Sequence, residues 1–160
     1  MAVYSLGAQG WTPVAHADGA SALANSSYQG VRATSAANII RVVEVFVGGE
    51  ATSSTVNRMA YRRCSTNVGT PTGVTPGGLN PASQASLGAG YTLATTGPTI
   101  ASTAHLLDVP FNAFGGVVRW VAAPGEELYQ SSVTAPNSEC VFDSISGTGL
   151  VTSNVKFEES

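Results

Sequence analysis

The closing segment of the chain alternates apolar and polar residues with a period of two. One face of LVTSNVKFEE, residues 150–159, carries Val151, Ser153, Val155 and Phe157, and the other face carries polar side chains. Successive side chains of a strand point to opposite faces of a sheet, whereas a helix repeats every three to four residues. The segment therefore predicts a β-strand with one buried and one exposed face.

Similar strand-like runs recur along the chain, and glycine and proline separate them. With the closing segment there are about eight, at residues 38–49, 54–66, 91–95, 100–111, 117–122, 127–131, 139–146 and 150–159. We expect the run at 54–66 to pair with the run at 38–49, and a type II turn at Pro124-Gly125 to join the runs at 117–122 and 127–131. Long helical periodicity is missing from the sequence. The pattern predicts an all-β fold, an antiparallel β-sandwich with jelly-roll-like connections, formed by a single domain over residues 1–160.

Two segments do not fit regular strands. Residues 67–90 are rich in glycine and proline, which interrupt the hydrogen bonds of a sheet, and the segment is longer than an ordinary connection. We expect a long loop or arm there that lies against another surface. Residues 1–36 are expected to form either a strand or an N-terminal arm.

Charged residues make up 11% of the chain, less than half of the usual share of about 25%. A protein packed against neighbours depends less on surface charge for solubility than a free monomer does. The strand at residues 38–49, NIIRVVEVFVGG, is apolar on both faces, which predicts that both faces are covered. A neighbouring subunit is one candidate for the second cover.

The low share of charged residues and the apolar strand at residues 38–49 suggest the candidate interface residues. The first group is expected in the core or at a subunit interface: Val43, Val45, Phe46 and Val47. The second group is expected at a polar rim, since arginine and tyrosine are enriched at interfaces: Arg58, Tyr61 and Arg62. The arginines of the run at residues 54–66 would face water or the carboxylates of a partner.

Charge and hydropathy argue against two classes of partner. The net charge is −3 and Lys156 is the only lysine, so the chain lacks the basic stripe of a nucleic-acid-binding protein. Its apolar runs are far shorter than the roughly 20 residues that cross a bilayer, so no membrane contact is expected. The first residues lack the pattern of a signal peptide, and we expect no export by that route.

No catalytic or metal-binding motif stands out. His16 and His105 are the only histidines and lie far apart in the sequence, and Glu126 and Glu127 would point to opposite faces of a strand. We therefore expect no enzyme activity, cofactor or metal. Each histidine is expected to be an ordinary surface or hydrogen-bonded residue. A pocket that joined Glu126, Asp108 or His105 to another acid would argue for an enzyme.

The two cysteines lie in separate strand-like runs. Cys64 and Cys140 lack the spacing of a zinc site, which leaves two interpretations. They are either two buried free thiols or one disulfide between strands.

The C-terminal part of the chain resembles the head decoration or cement proteins of tailed bacteriophages. The stretches that carry the resemblance are VVRWVAAPGEELYQSS, NSECVFDSISGTG and NVKFEE. The resemblance implies a β-sandwich without catalytic residues that is made in the host cytoplasm and sits on the capsid surface of the virion. It implies the major capsid protein as partner and a homo-oligomer, with a trimer the expected form.

The alternative is a carbohydrate- or receptor-binding module of a phage tail. Trp11, Trp120 and Tyr129 could stack on sugar rings if they were exposed, although aromatic residues in strands more often lie in the core. Burial of both tryptophans would remove this alternative.

Overall fold

The computed structural model describes residues 1–19, 22–23, 28–66, 71–94, 97–130 and 139–160, which form strands and turns and no helix. The strands, numbered in chain order, are β1 (Ala2–Trp11), β2 (Tyr28–Ala33), β3 (Ile40–Glu50), β4 (Val56–Cys64), β5 (Pro71–Val74), β6 (Gly77–Gly78), β7 (Gly88–Ala94), β8 (Ile100–Asn112), β9 (Phe114–Val121), β10 (Leu128–Gln130), β11 (Glu139–Ser146) and β12 (Val151–Glu159).

The strands form two antiparallel sheets. The first sheet has the order β6-β1-β12-β3, and both β9 and β10 pair with the remaining edge of β3. The second sheet has the order β5-β7-β2-β11-β4-β8. The all-β class and the antiparallel sandwich predicted from the sequence are confirmed.

The main strand pairs are nested along the chain. β1 pairs with β12, β2 with β11, β3 with β9, and β4 with β8. The first and third of these pairs lie in the first sheet, and the second and fourth lie in the second sheet. The chain therefore behaves as one long antiparallel ribbon that passes repeatedly from one sheet to the other.

The core lies between the sheets, and β12 contributes to it in the predicted register. Val151, Ser153, Val155 and Phe157 are buried, and the residues between them are half-buried. The Phe157 ring stacks on Tyr4 of β1 with ring centroids 5.7 Å apart. Removing such aromatic and aliphatic surface from water is the main favourable term in folding.

A β-bulge explains why β3 has apolar residues on both faces of its sequence pattern. Glu44 pairs with Lys156, but Val42 pairs with Phe157, so Val43 is an extra residue in β3. A bulge of this kind shifts the alternation by one residue. The core therefore receives one apolar series before the bulge and the other after it: Ile40, Val42, Val45 and Val47. The two apolar series of the sequence pattern therefore lie largely on one face of the folded strand.

Two predicted pairings also differ from the structure. The run at 54–66 was expected to pair with the run at 38–49, but β4 and β3 belong to different sheets. The Pro124-Gly125 turn is confirmed, since the Glu126 N–H donates to the Ala123 carbonyl at 2.9 Å and Gly125 has φ of 88°. However, the strands on its two sides, β9 and β10, both pair with β3 and not with each other.

The two irregular segments contain strands. Within residues 1–36, β1 is an inner strand between β12 and β6, and β2 lies between β11 and β7. Within residues 67–90, the described part from residue 71 contains β5, β6 and the start of β7, and residues 67–70 lie outside the described residues.

The cysteines are free thiols on opposite faces of the second sheet. Cys140 lies in the core between the sheets, whereas Cys64 packs with Leu23, Tyr91 and Ile100 on the other side of that sheet. Side chains on opposite faces cannot form a disulfide. Burial raises the pKa of Cys140 to about 12 and the pKa of Cys64 well above its ordinary value.

We predict that neither thiol reacts with an aromatic disulfide reagent in the folded protein at neutral pH, because thiolates are the reactive species and both thiols are buried and protonated. Absorbance of the released thiolate should show two reactive groups per chain only after denaturant is added. Rapid modification of either cysteine in the folded state would contradict the assignment.

An asparagine connects β4 to the turn between β11 and β12. The Asn57 side-chain N–H donates to the Gly149 carbonyl at 2.8 Å, and its oxygen accepts from the Gly149 N–H at 3.1 Å. Both bonds are buried, so they satisfy peptide groups that water does not reach.

We predict that Asn57→Ala lowers the free energy of unfolding by roughly 2–4 kcal/mol, since each unsatisfied buried group costs about 1–3 kcal/mol. Urea denaturation should show a lower midpoint with an unchanged slope. Gln9→Ala, at an exposed position of β1, is the matched control and should leave the midpoint unchanged.

Candidate functional site

The segment after β1 crosses the outer face of the second sheet. We call its described residues, 12–19 and 22–23, the strap. The His16 N–H donates to the Ser144 carbonyl of β11 at 3.2 Å, and the Leu23 N–H donates to the Pro98 carbonyl at 2.9 Å. Leu23 is buried against Cys64, Ile100 and neighbouring side chains of the sheet. The strap therefore covers part of the face that turns away from the core.

Ion pairs hold the strap on this face. His16 binds the buried carboxylate of Asp143 through Nε2. Asp18 lies 3.4 Å from Nη1 of Arg62 and 2.9 Å from Nε2 of His105. Arg62 is fully buried, and β4 carries it beneath the strap. The β4 arginines were expected to face water or the carboxylates of a partner. Arg62 instead pairs with a carboxylate of the same chain, that of Asp18.

The hydrogen bonds around His105 show its charge state. Its Nδ1 lies 2.6 Å from Asp108 and its Nε2 lies 2.9 Å from Asp18. A neutral imidazole has one N–H, so two carboxylate partners require the doubly protonated, cationic ring. The hydrogen bond to Asp108 raises the pKa of His105, burial opposes it, and the bond to Asp18 adds to the rise.

His16 is in the same state. Its Nδ1 lies 2.7 Å from the Ala17 carbonyl, which can only accept, and its Nε2 faces the Asp143 carboxylate. Burial lowers the pKa of His16, but the hydrogen bonds to Asp143 and Ala17 outweigh it, and the pKa is raised. The hydrogen bond from His105 likewise lowers the pKa of Asp18.

This cluster collects most of the chemically versatile side chains of the chain. Both histidines and all three aspartates of the sequence belong to it, with Arg62 as the third cation. They come from the strap, β4, β8 and β11, four segments that are distant in sequence. No local motif could have revealed the cluster, because the sheet order and the path of the strap bring its members together.

A cavity of about 370 Å³ beside the cluster is lined by Asp18, His105, Asp108 and Arg58. It joins His105 to two acids, the arrangement that would argue for an enzyme. Both ring nitrogens of His105 are occupied by carboxylates, however, so the ring offers no free nitrogen to accept a substrate proton. Among the described residues, no group of three or more potential ligands could hold a metal ion.

The outer face of the first sheet is a second candidate site, and the strap does not contact it. One row across the sheet contains Ser5, Lys156, Glu44 and Val121, and the next row contains Gly7, Asn154, Phe46 and Arg119. Val117 and Val121 on β9 are 63% and 52% exposed. This face therefore carries exposed apolar side chains beside charged and polar ones.

The charges on this face neutralise one another. The Arg119 guanidinium donates two hydrogen bonds to Glu44 at 2.9 and 3.0 Å, and Lys156 Nζ lies 3.1 Å from the same carboxylate. The hydrogen bond from Arg119 is the largest cause that lowers the pKa of Glu44 to about 2; burial opposes it, and Lys156 lowers the pKa further. Because the triad carries only one net charge, little electrostatic repulsion opposes contact with another protein surface.

The structure separates the candidate interface residues into three groups. Those in or under the sandwich are buried: Val45, Val47, Tyr61 and Arg62. Val43 is half-buried at the bulge, and Phe46 is half-buried on the outer face of the first sheet. Arg58 is exposed beside the cavity. Tyr61 and Arg62, expected at a polar rim, have no exposed surface within the chain.

The aromatic residues of the sugar-binding alternative are also separated. Trp11 is buried, and its indole N–H donates to the Ser153 hydroxyl at 2.9 Å. Trp120 is half-buried and packs against the core, whereas Tyr129 is exposed. The three rings do not form one exposed shelf.

Comparison with protein-family models, curated proteins and solved structures finds no match to this chain. Among the described residues, no helix has the length and hydropathy needed to cross a membrane.

We predict that the strap loosens as the pH rises. Both histidines have folded-state pKa values above the ordinary value of 6.5, so their pairing stabilises the fold fully below that value and is lost as the pH rises through the raised pKa. The urea midpoint should fall as the pH rises above about 6.5. The double variant His16→Gln/His105→Gln should flatten this dependence, and a midpoint that rises with the pH in the unaltered chain would contradict it.

Proposed function

We propose that this protein is a structural virion protein that binds the outside of a phage head as a decoration or cement protein. The major capsid protein is its proposed partner, and the capsid surface is its proposed location. The outer face of the first sheet would be the surface that meets the capsid lattice. This proposal needs no cofactor and no catalytic step.

The strand connections support the proposal at the level of fold. We interpret the nested pairs β1–β12, β2–β11, β3–β9 and β4–β8, divided alternately between two sheets, as a jelly roll, in which a folded ribbon is rolled into a sandwich. Jelly rolls are frequent in viral capsid and lectin domains. A fold shared by many functions does not identify one, so the choice depends on the exposed surface.

The observation that carries the proposal is the unequal covering of the two sheets. The strap covers part of the outer face of the second sheet, and its charged residues bind those of the sheet there. The outer face of the first sheet exposes Val117, Val121 and part of Phe46 around a compensated charge triad. Exposed apolar side chains beside paired charges are suited to a protein partner.

Repeated contacts would supply the binding strength. Each copy offers one modest face, but a capsid presents the same partner surface many times. Copies that are linked to each other gain effective concentration at neighbouring lattice sites, so that weak contacts add to a stable attachment. A homo-oligomer with parallel binding faces would therefore bind a head more tightly than a single copy.

The tail-module alternative has less support from the positions of the aromatic rings. Trp11 is fully used inside the core, and Trp120 turns its ring toward the core. Only Tyr129 of the three candidates is exposed. A sugar-binding site would have to be built on that residue without a tryptophan platform.

We predict that the purified chain binds heads of its own phage that lack it, and that Phe46→Glu weakens this binding at least tenfold because a charge is placed on the proposed contact face. Co-sedimentation with the heads measures the affinity. Val56→Glu is the matched control, since Val56 is exposed on β4 of the other sheet and this variant should bind normally.

Circular dichroism of both variants verifies that they fold. Immunogold labelling of complete particles gives the location: label on the head surface is expected, label at the tail tip would favour the receptor-binding alternative, and unlabelled particles would overturn the proposal.

A further inference from the structure

We propose that the outer edge of β9 pairs with β9 of a second copy of this chain, in antiparallel orientation, and joins the two first sheets into one. This deepens the proposed function, because it names the contact that links copies and aligns their binding faces. It can be tested with the purified protein alone, without any capsid.

The first argument is that β9 has an open edge. β9 pairs with β3 on one side, and no strand among the described residues pairs with its other side. β9 extends over eight residues, Phe114–Val121. An exposed strand edge presents a row of unpaired N–H and C=O groups, which another strand can bind.

One hydrogen bond shows which groups face that edge. The Ala122 N–H donates to the Val43 carbonyl of β3 at 2.9 Å. In an antiparallel pair, successive residues direct their backbone groups alternately toward and away from the partner strand. Since the β3–β9 register is continuous from Val121 to Val117, the N–H and C=O groups of Val117, Arg119 and Val121 point to the open edge.

The second argument is a contrast with β8, the edge strand of the second sheet. β8 contains Pro110, which has no N–H, and its register with β4 shifts twice. Proline and bulges are features by which proteins protect a strand edge from pairing. β9 has neither proline nor lysine between 114 and 121, and its one charged side chain, Arg119, is neutralised by Glu44. The edge of β9 is therefore left suited to pairing.

Symmetry and charge select the register. In a two-fold antiparallel pair that continues the sheet, residues directly opposite each other must point to the same face. An axis at Arg119 would place two arginines opposite each other, which is unfavourable. An axis at Val118 instead places Val117 opposite Arg119 of the second copy, so that the two arginines are not opposite each other.

The predicted product is a dimer with one continuous outer face. Both copies use the same edge, so the interface is closed after two copies, which differs from the trimer expected from the resemblance. In the middle of the joined face, each exposed Val117 lies opposite Arg119 of the other copy, and the two Val117 side chains are diagonal neighbours. The dimer thereby presents two copies of the proposed capsid-binding surface in one plane.

The test compares two substitutions at one position. Val117→Pro removes an N–H that points to the open edge but leaves the β3 ladder intact, whereas Val117→Thr keeps that N–H and a similar side-chain volume. Light scattering after size-exclusion chromatography should give twice 16.2 kDa for the unaltered chain and for Val117→Thr, and 16.2 kDa for Val117→Pro.

A monomeric unaltered chain at micromolar concentration would overturn the inference, and so would a dimer that Val117→Pro leaves intact. Neither outcome bears on binding of the chain to heads, so failure here is distinct from failure of the proposed function.

Cross-linking tests the register and does not depend on proline being tolerated. The double variant Val117→Cys/Arg119→Cys should form disulfides between copies under mild oxidation, because these positions are opposite each other about an axis at Val118. The control Val117→Cys/Val121→Cys would cross-link efficiently only if the axis were at Arg119. Absence of cross-links in the first variant would contradict the inference.

Discussion

The ion pairs between the strap and the second sheet determine which surface of this protein is available to others. Asp18 binds Arg62 and His105, and His16 binds Asp143, so charged groups from four segments are matched beneath and beside the strap. A fully buried guanidinium such as that of Arg62 would be costly without a carboxylate nearby. The strap supplies that carboxylate and in the same position covers Cys64, Ile100 and Val141 with Leu23. Part of the second sheet is therefore packed on both faces.

The first sheet lacks an equivalent cover among the described residues, and the bulge at Val43 determines what it exposes. The shift in alternation turns Ile40, Val42, Val45 and Val47 toward the core. The outer face keeps Phe46 and the triad of Glu44, Arg119 and Lys156. On this outer face the three charged side chains bind one another, and exposed apolar side chains lie beside them. The proposed contacts with a capsid and with a second copy both use this sheet.

The strands with a strong local pattern could be predicted from the sequence. The alternation in β12 and the turn at Pro124-Gly125 depend on near neighbours, and the structure confirms both. The alternation in β1 is weaker, because Gly7 and Gly10 interrupt it, and it did not distinguish a strand from an arm. In the structure, Tyr4, Leu6 and Ala8 are buried on one face of this strand. Strand partners were predicted less well, since a ribbon rolled between two sheets separates consecutive strands that would otherwise form hairpins.

The charged cluster could not be predicted for a different reason. His16 and His105 carry no local motif, and each was expected to be an ordinary surface or hydrogen-bonded residue. Their common position depends on where a segment without regular structure crosses a sheet, and amphipathic periodicity carries no information on that path. The same holds for Arg62, whose place in the alternating pattern of β4 predicted its face but not the strap that buries it.

Hydroxyl-radical footprinting of the protein bound to phage heads tests the central claim, that the first sheet is the binding surface and that the strap covers part of the second sheet. The account predicts that side chains of the first sheet lose reactivity on assembly, with Phe46, Val117 and Val121 most affected, while Val14 of the strap and Val56 of β4 react as in the free chain. Protection concentrated on the strap and the second sheet, with unchanged reactivity of β3 and β9, would contradict it.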